Sequence, residues 1–310
     1  MLDIPISDAE RIRFAELAEL FIECRDVYRD YATLTNWRPV DRSAAAADAA
    51  MVRQLTTDHS ASAFAREAIT KVLHWYLYSV SEQFNGLAAL YDDPSATLVA
   101  PRILARSIVE HCAHVWWVLG RSGDQADERL ARALLEEFLS QEEAKRNIGR
   151  LVDRDSDDYR REVAFYDTIK DVARTLFAEA PYRDGDRLLT LHGQKMPRPE
   201  ACAVAMLTAM TRDLTERSAR GLYGLLSNSA HPTLHTVNRI FSIERSDDGN
   251  LVTVQLDSEE RDRHAAIVVG AYYNVISHVI QYHGWPGERH AQFNRTIDRL
   301  LPTLLPPARA

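Results

Sequence analysis

Arg220-Gly-Leu-Tyr-Gly-Leu-Leu-Ser-Asn-Ser-Ala-His-Pro-Thr-Leu-His235 is the stretch on which the reading of this chain turns. It opens with helical spacing and closes at a proline. On a helix running to His231, residues Arg220, Tyr223, Gly224, Ser227 and His231 fall on one stripe, because positions three and four apart are neighbours. Leu222, Leu225 and Leu226 take the other side. Gly224, beside Tyr223 and Ser227, leaves room for a second helix to approach. Pro232 has no backbone N–H to donate, so the helix is expected to stop with His231 at its carboxyl end. A histidine there is favoured in its charged form by the helix dipole and titrates near neutral pH.

The flanking sequence keeps the same helical period. Ser7-Asp-Ala-Glu10 is a capping-box start, and Phe14, Leu17, Leu20, Phe21, Cys24 and Tyr28 repeat as one helix face to about residue 32. The alanine-rich run from Ser43 to Met51 predicts a short packing helix without chemistry. Longer helices are expected over about 62–91, 97–119, 122–150 and 155–179, the second stopped by Gly120. Residues 181–198 read as an irregular surface loop or lid, and Pro199 opens another helix. After His235 the period changes to two. Thr236 to Glu244 and Leu251 to Leu256 alternate around Ser246-Asp-Asp-Gly-Asn250, which predicts one β-hairpin and no other strands. The last helices are expected over about 257–283 and 289–304. The fold class is therefore all-α: a helical bundle with one small hairpin insert near residues 236–256. We expect a single domain over 1–310, with helices of residues 7–56 packing on a core bundle of 62–304.

Composition narrows the function classes. Hydrophobic residues make up 46% and charged residues 26%, values of an ordinary globular chain. The formal net charge of -8 argues against a protein built mainly to grip a phosphate backbone. Three widely spaced cysteines, Cys24, Cys112 and Cys202, form no C-x-x-C pair and fit a reducing cytoplasm. No basic leader followed by an apolar core and no apolar run of membrane length is present, so no membrane partner is expected. There is no Glu-x-x-His, no His-Glu-x-x-His and no glycine-rich phosphate loop, so neither a metal nor a cofactor is predicted.

A second constellation lies upstream. Arg106-x-x-x-Glu110-x-x-x-His114 places three polar groups on one face of an apolar helix, with Trp117 below. Buried charges persist only when paired, so Arg106 and Glu110 are expected to pair and to orient a histidine. In the functional reading these groups meet the Tyr223–His231 stripe in a polar pocket. Arg106, Glu110, His111, Ser227 and His231 are the candidate catalytic residues, with Arg106 on an anion and a histidine as acid or base. His114, Trp117, Tyr223, Asn228 and His235 are the candidate ligand contacts. The aromatic stretches His74-Trp-Tyr-Leu-Tyr78, Trp116-Trp117 and Tyr272-Tyr273 read first as core and second as an aromatic wall for a small ligand in the bundle centre.

Arg106-Ser-Ile-Val-Glu-His-Cys112 and Tyr223-Gly-Leu-Leu-Ser-Asn-Ser-Ala-His-Pro232 together resemble a group of uncharacterised bacterial helical proteins. Its signature is an early Arg-x-x-x-Glu and a late Ser-x-x-x-His followed by a hairpin. That group is distantly similar to HEPN domains, many of which are metal-independent ribonucleases of toxin and defence systems. The likeness covers about residues 62–284. Arg106 and His111 stand at the Arg-to-His spacing of HEPN nucleases, although early in the chain. The resemblance implies a helical bundle in which Arg106, Glu110, Ser227 and His231 meet, and a degenerate HEPN-like nuclease with RNA as partner. The alternatives are a non-catalytic module binding a small molecule or protein, and a small-molecule tailoring enzyme with an aromatic pocket. A homodimer is expected from the exposed strand edge.

Overall fold

Helix starts form where the chain carries capping side chains. The computed structural model describes residues 6–93, 99–121, 123–185, 187–210, 214–228, 241–246, 249–254 and 258–305. Ser7 Oγ accepts from the Glu10 amide at 3.3 Å, and Glu10 Oε2 accepts from the Ser7 amide at 2.9 Å. This capping box starts α1 (Asp8–Thr35). Ser43 caps α2 (Ala44–Leu55). Asp58 Oδ1 accepts from the Ser60 and Ala61 amides at 2.8 and 3.0 Å, so α3 (His59–Asp92) begins ahead of the expected residue 62. Each such cap contributes about 1 kcal/mol. α4 (Ala100–Leu119) has a proline in its first turn and stops at Gly120, whose φ is 72°. A Cβ on Gly120 would stand 2.0 Å from Arg132 Nη1 and 2.1 Å from Asp124 Oδ2, so both the φ and the space demand glycine.

The remaining helices are α5 (Ala126–Leu151), α6 (Asp157–Phe177), α7 (Pro199–Met210), α8 (Glu216–Asn228), α9 (Ser258–His283) and α10 (Glu288–Leu300). The architecture is an all-α bundle with a small hairpin insert. Phe241–Ser246 and Gly249–Val254 pair antiparallel, with Ser246 opposite Gly249. The expected hairpin residues 236–240, 247–248 and 255–256 lie outside the described residues.

Residues 181–198 depart from the expectation of an irregular loop. β1 (Tyr182–Arg183), β2 (Leu189–Leu191) and β3 (Gln194–Lys195) form a three-stranded antiparallel sheet; the hairpin strands are then β4 and β5. Leu189, Thr190 and Leu191 are buried, with β2 against α5. Strands of two or three residues are too short for alternation to show in a sequence window.

One contiguous hydrophobic cluster runs from α1 to α10. Phe21 stacks on Phe84 at 5.9 Å and meets Tyr91 edge-on at 5.0 Å. Each fully buried ring of this kind stabilises by roughly 1.5–3 kcal/mol. α4 packs against α3, α5, α7, α8 and α9, which makes it the central helix. Its buried side carries Ala105, Ile108, Val109, Cys112, Ala113, Val115 and Trp116. Its other stripe, Arg106, Ser107, Glu110, His111, His114 and Trp117, is half-buried and mostly polar.

Between α1 and α2 the backbone is strained. Asn36, Trp37 and Arg42 have φ of 47°, 56° and 67°, a region costing a non-glycine residue about 1–2 kcal/mol. Two long-range bonds hold this connection down: the Val40 amide donates to the His283 carbonyl at 2.8 Å, and Trp285 Nε1 donates to the Arg38 carbonyl at 2.8 Å. Trp37 thereby lies edge-on to His74, His283 and Trp285, with ring centroids 4.9, 5.8 and 5.2 Å away. Its Nε1 is buried and has no hydrogen-bond acceptor among the described residues. Below it, Arg129 grips the buried Asp48 with two bonds of 2.7 and 2.8 Å, and Tyr282 Oη donates to the same carboxylate at 2.9 Å. This cluster ties α2, α5 and α9 together. No helix among the described residues is long and apolar enough to cross a membrane.

Candidate functional site

The half-buried stripe of α4 is where the sequence-predicted site residues gather. Spacings of three and four place Arg106, Glu110, His114 and Trp117 along one line. Arg106 Nε donates to Glu110 Oε1 at 2.9 Å, and both side chains keep about a fifth to a quarter of their surface exposed (20% and 24%). Tyr223 Oη, from α8, donates to the same Glu110 Oε1 at 2.6 Å, and the Arg106 guanidinium lies 5.9 Å from the Tyr223 ring. Glu110 Oε2 has no hydrogen-bond donor among the described residues. Burial works against the Arg106 charge, but the bond to Glu110, its charge and Tyr223 together outweigh it and the pKa rises. Burial, then the bond to Glu110, pushes the Tyr223 hydroxyl up to about 12 against the opposing pull of Arg106.

One turn further along, His114 Nδ1 lies 2.6 Å from Glu136 Oε1, on α5. A carboxylate can only accept here, so Nδ1 carries the proton. Tyr76 Oη, on α3, donates to Glu136 Oε2 at 2.7 Å. Glu136 is 3% exposed and His114 is 14% exposed. Burial alone disfavours the imidazolium, but the Glu136 bond and charge, with Glu110 behind them, hold the His114 pKa above the ordinary histidine value. His114 Nε2 has no hydrogen-bond partner among the described residues.

His111 turns elsewhere. Its Nδ1 donates to the Ser107 carbonyl at 2.7 Å, and its Nε2 lies 3.2 Å from Ser79 Oγ, whose own acceptor site takes Gln83 Nε2 at 3.1 Å. Both ring nitrogens are occupied. Burial lowers its pKa more than the Ser107 carbonyl restores it, so the ring is neutral. Five residues on a helix rotate about 140°, so Arg106 faces α8 while His111 faces α3. The spacing that resembles the HEPN pair does not bring these two side chains together.

α8 also differs from the expected stripe. Ala219, Tyr223 and Leu226 form its buried face, and Leu225 is 48% exposed. Arg220 is exposed and pairs with Glu216 at 2.8 Å and Glu200 at 3.2 Å, away from the α4 stripe. No described atom lies within 4 Å of a Cβ built on Gly224, so this glycine does not mediate a close helix approach. Ser227 is half-buried one turn beyond Tyr223, and Asn228 is exposed at the helix end. His231 and His235, with Pro232, lie outside the described residues. Trp117 packs partly buried on the core, and its carbonyl accepts from Arg132 Nη1 at 3.3 Å.

Glu136 and Tyr76 are the residues that sequence reasoning missed. The signal for Glu136 is present: it interrupts Leu130, Ala131, Ala133, Leu134, Leu135 and Phe138, all buried, and an acid in an apolar stripe requires a partner. Of the aromatic stretches read first as core, Trp116 and Tyr272 are buried, whereas Trp75 and Tyr78 are exposed on the flank of α3. The three cysteines are buried thiols, and burial raises the pKa of each. Among the described residues no group of three or more His, Cys, Asp or Glu side chains is arranged to hold a metal ion. No family model, curated protein or solved structure matches the chain.

Proposed function

We propose that the α4 stripe is an acid–base site acting on a small substrate without a metal, with His114 as the proton donor and acceptor, Glu136 as the group that orients it, and Arg106–Glu110–Tyr223 as the adjoining polar wall. One observation carries this reading. His114 has one nitrogen held by a buried carboxylate at 2.6 Å and the other without a protein partner among the described residues. That division of labour is what an imidazole needs to exchange a proton with a bound molecule. Its raised pKa favours the protonated form relative to a free imidazole.

RNA cleavage of the HEPN kind finds weaker support. Arg106 and His111 face different helices, the stripe's single arginine is paired with Glu110, and a second carboxylate, Glu136, holds His114. The discriminating experiment is turnover of p-nitrophenyl carboxylate esters, bis-p-nitrophenyl phosphate and a fluorogenic RNA oligonucleotide by the wild type, His114→Gln and Glu136→Gln. Loss of a positioned acid–base group lowers a rate by roughly 10²–10⁴-fold. We expect a small ester to be turned over and both variants to lose that rate. A rate that survives His114→Gln removes the reading. Cleavage confined to the RNA restores the nuclease alternative.

A further inference from the structure

We propose that the cleft between the α1–α2 connection, α2 and α3 binds a small planar aromatic anion, an arylcarboxylate, with its ring against Trp37 and Trp75 and its charge toward Arg38 and Arg66. The proposal concerns a different site from the α4 stripe and does not rest on the acid–base reading.

The cavity there measures about 550 Å³, within the roughly 300–1,000 Å³ of small-ligand pockets. Small side chains line it: Ala45 and Ala49 of α2 and Ala65 of α3. The alanine run, expected from sequence to be packing alone, thus leaves space. Aromatic rings close the space. Trp37 is fixed there by consecutive left-handed residues and by hydrogen bonds from the Val40 amide and the Trp285 indole. Trp75 is 56% exposed, whereas Trp116 and Trp285 are 9% and 5% exposed. An indole face left in water beside a cavity is a stacking surface. His74 lies between them; its Nδ1 meets Tyr28 Oη at 3.3 Å, and its Nε2 has no hydrogen-bond partner among the described residues. It supplies one directional polar group on an apolar wall.

Charge selects an anion. Five ionised side chains line the cleft: Arg38, Asp48, Arg66, Glu67 and Lys71. Asp48 is neutralised by the two-bond grip of Arg129 and by Tyr282. Lys71 is committed to Glu137 at 2.7 Å. Arg38, Arg66 and Glu67 remain, a local excess of one positive charge in a chain of net charge -8. Neither arginine has a carboxylate partner among the described residues; Arg66 Nε donates to the Ser62 carbonyl at 3.3 Å and leaves its outer N–H groups available. A guanidinium fork matches a carboxylate in a plane, and an aryl group sets that carboxylate in the plane of its ring.

The test is calorimetric titration of the full chain with 2-naphthoate, its neutral isostere 2-naphthamide, and the non-aromatic cyclohexanecarboxylate. We expect naphthoate to bind at least tenfold more tightly than either control. Trp75→Ala, at an exposed position, should weaken naphthoate at least tenfold, and the double variant Arg38→Gln, Arg66→Gln should abolish the preference for naphthoate over naphthamide. Equal affinity for naphthoate and naphthamide, binding untouched by Trp75→Ala, or no binding at millimolar probe each overturns the proposal.

Discussion

His114 Nδ1 and Glu136 Oε1 stand 2.6 Å apart, joining the central helix to α5 through a carboxylate that is 3% exposed. The imidazolium held there binds its proton more tightly than it would in the unfolded chain. Its contribution to stability is therefore complete below about pH 6.5, the unfolded value, and is lost as pH rises through the higher folded pKa. Removing one partner of a buried pair costs about 3 kcal/mol. We expect Glu136→Gln to lower urea-unfolding stability by about that amount at pH 6 and by clearly less at pH 8.5. The same loss at both values would mean that His114 does not change its charge between them.

Tyr223 joins α8 to α4 through its hydrogen bond to Glu110. A hydrogen bond to a charged group contributes roughly 1.5–3 kcal/mol when buried, and the 24% exposure of Glu110 reduces this. A double-mutant cycle of Tyr223→Phe and Glu110→Gln should give a coupling of about 1 kcal/mol. With the hydroxyl pushed up to about 12, its pKa is raised above the unfolded value of about 10. The coupling should thus stay constant from pH 6 to 9 and be lost only as pH climbs through the folded value. A coupling that falls between pH 6 and 9 would show that another group controls the contact.

His283 behaves in the opposite sense. It is 0% exposed, stacked on Trp285 at 4.3 Å, and burial brings its pKa down to about 4. The unfolded chain then binds its proton first, so stability is lost as pH falls from about 6.5 toward the folded value. Between pH 7 and pH 5 this single group removes about 2 kcal/mol, since each pKa unit is worth about 1.4 kcal/mol. In His283→Phe, which keeps the stacking surface, the difference between denaturant midpoints at pH 7 and pH 5 should shrink correspondingly. An unchanged difference would assign the acid sensitivity to other groups.

Gly224 is open space rather than a point of close approach. Alanine in a helix interior is favoured over glycine by roughly 0.5–1 kcal/mol. Gly224→Ala should raise the thermal midpoint slightly. A fall of several degrees would instead show that α8 is approached closely at that turn.

Much of the fold was legible because it is written locally. Ser7 and Glu10, Gly120 and Pro199 act on backbone groups within a turn of themselves, and the apolar period of α1 and α4 shows which face is buried. Arg106 and Glu110 were legible for the same reason, since a spacing of four makes them neighbours on any helix. The partners of α4 were not legible. Glu136 and Tyr76 reach His114 from helices about 20 and 40 residues away in sequence, and no periodicity relates one helix's rotation to another's. Arg220 and Leu225 turned outward because α8 is rotated by its packing on α4 and α7, a choice made by the neighbours and not by its own pattern.

By itself the sequence determined that this chain is helical, roughly where most of its helices lie, that a hairpin interrupts them, and that one face of α4 is polar. Only the tertiary structure decided what that face meets: Tyr223 on Glu110, Glu136 on His114, Ser79 on His111. It also decided that the alanines of α2 border a cavity and that Trp37 closes it. The physical reason is one of range. Helix formation and capping depend on hydrogen bonds within four residues, whereas a site is made by side chains whose separation is set by how whole helices pack.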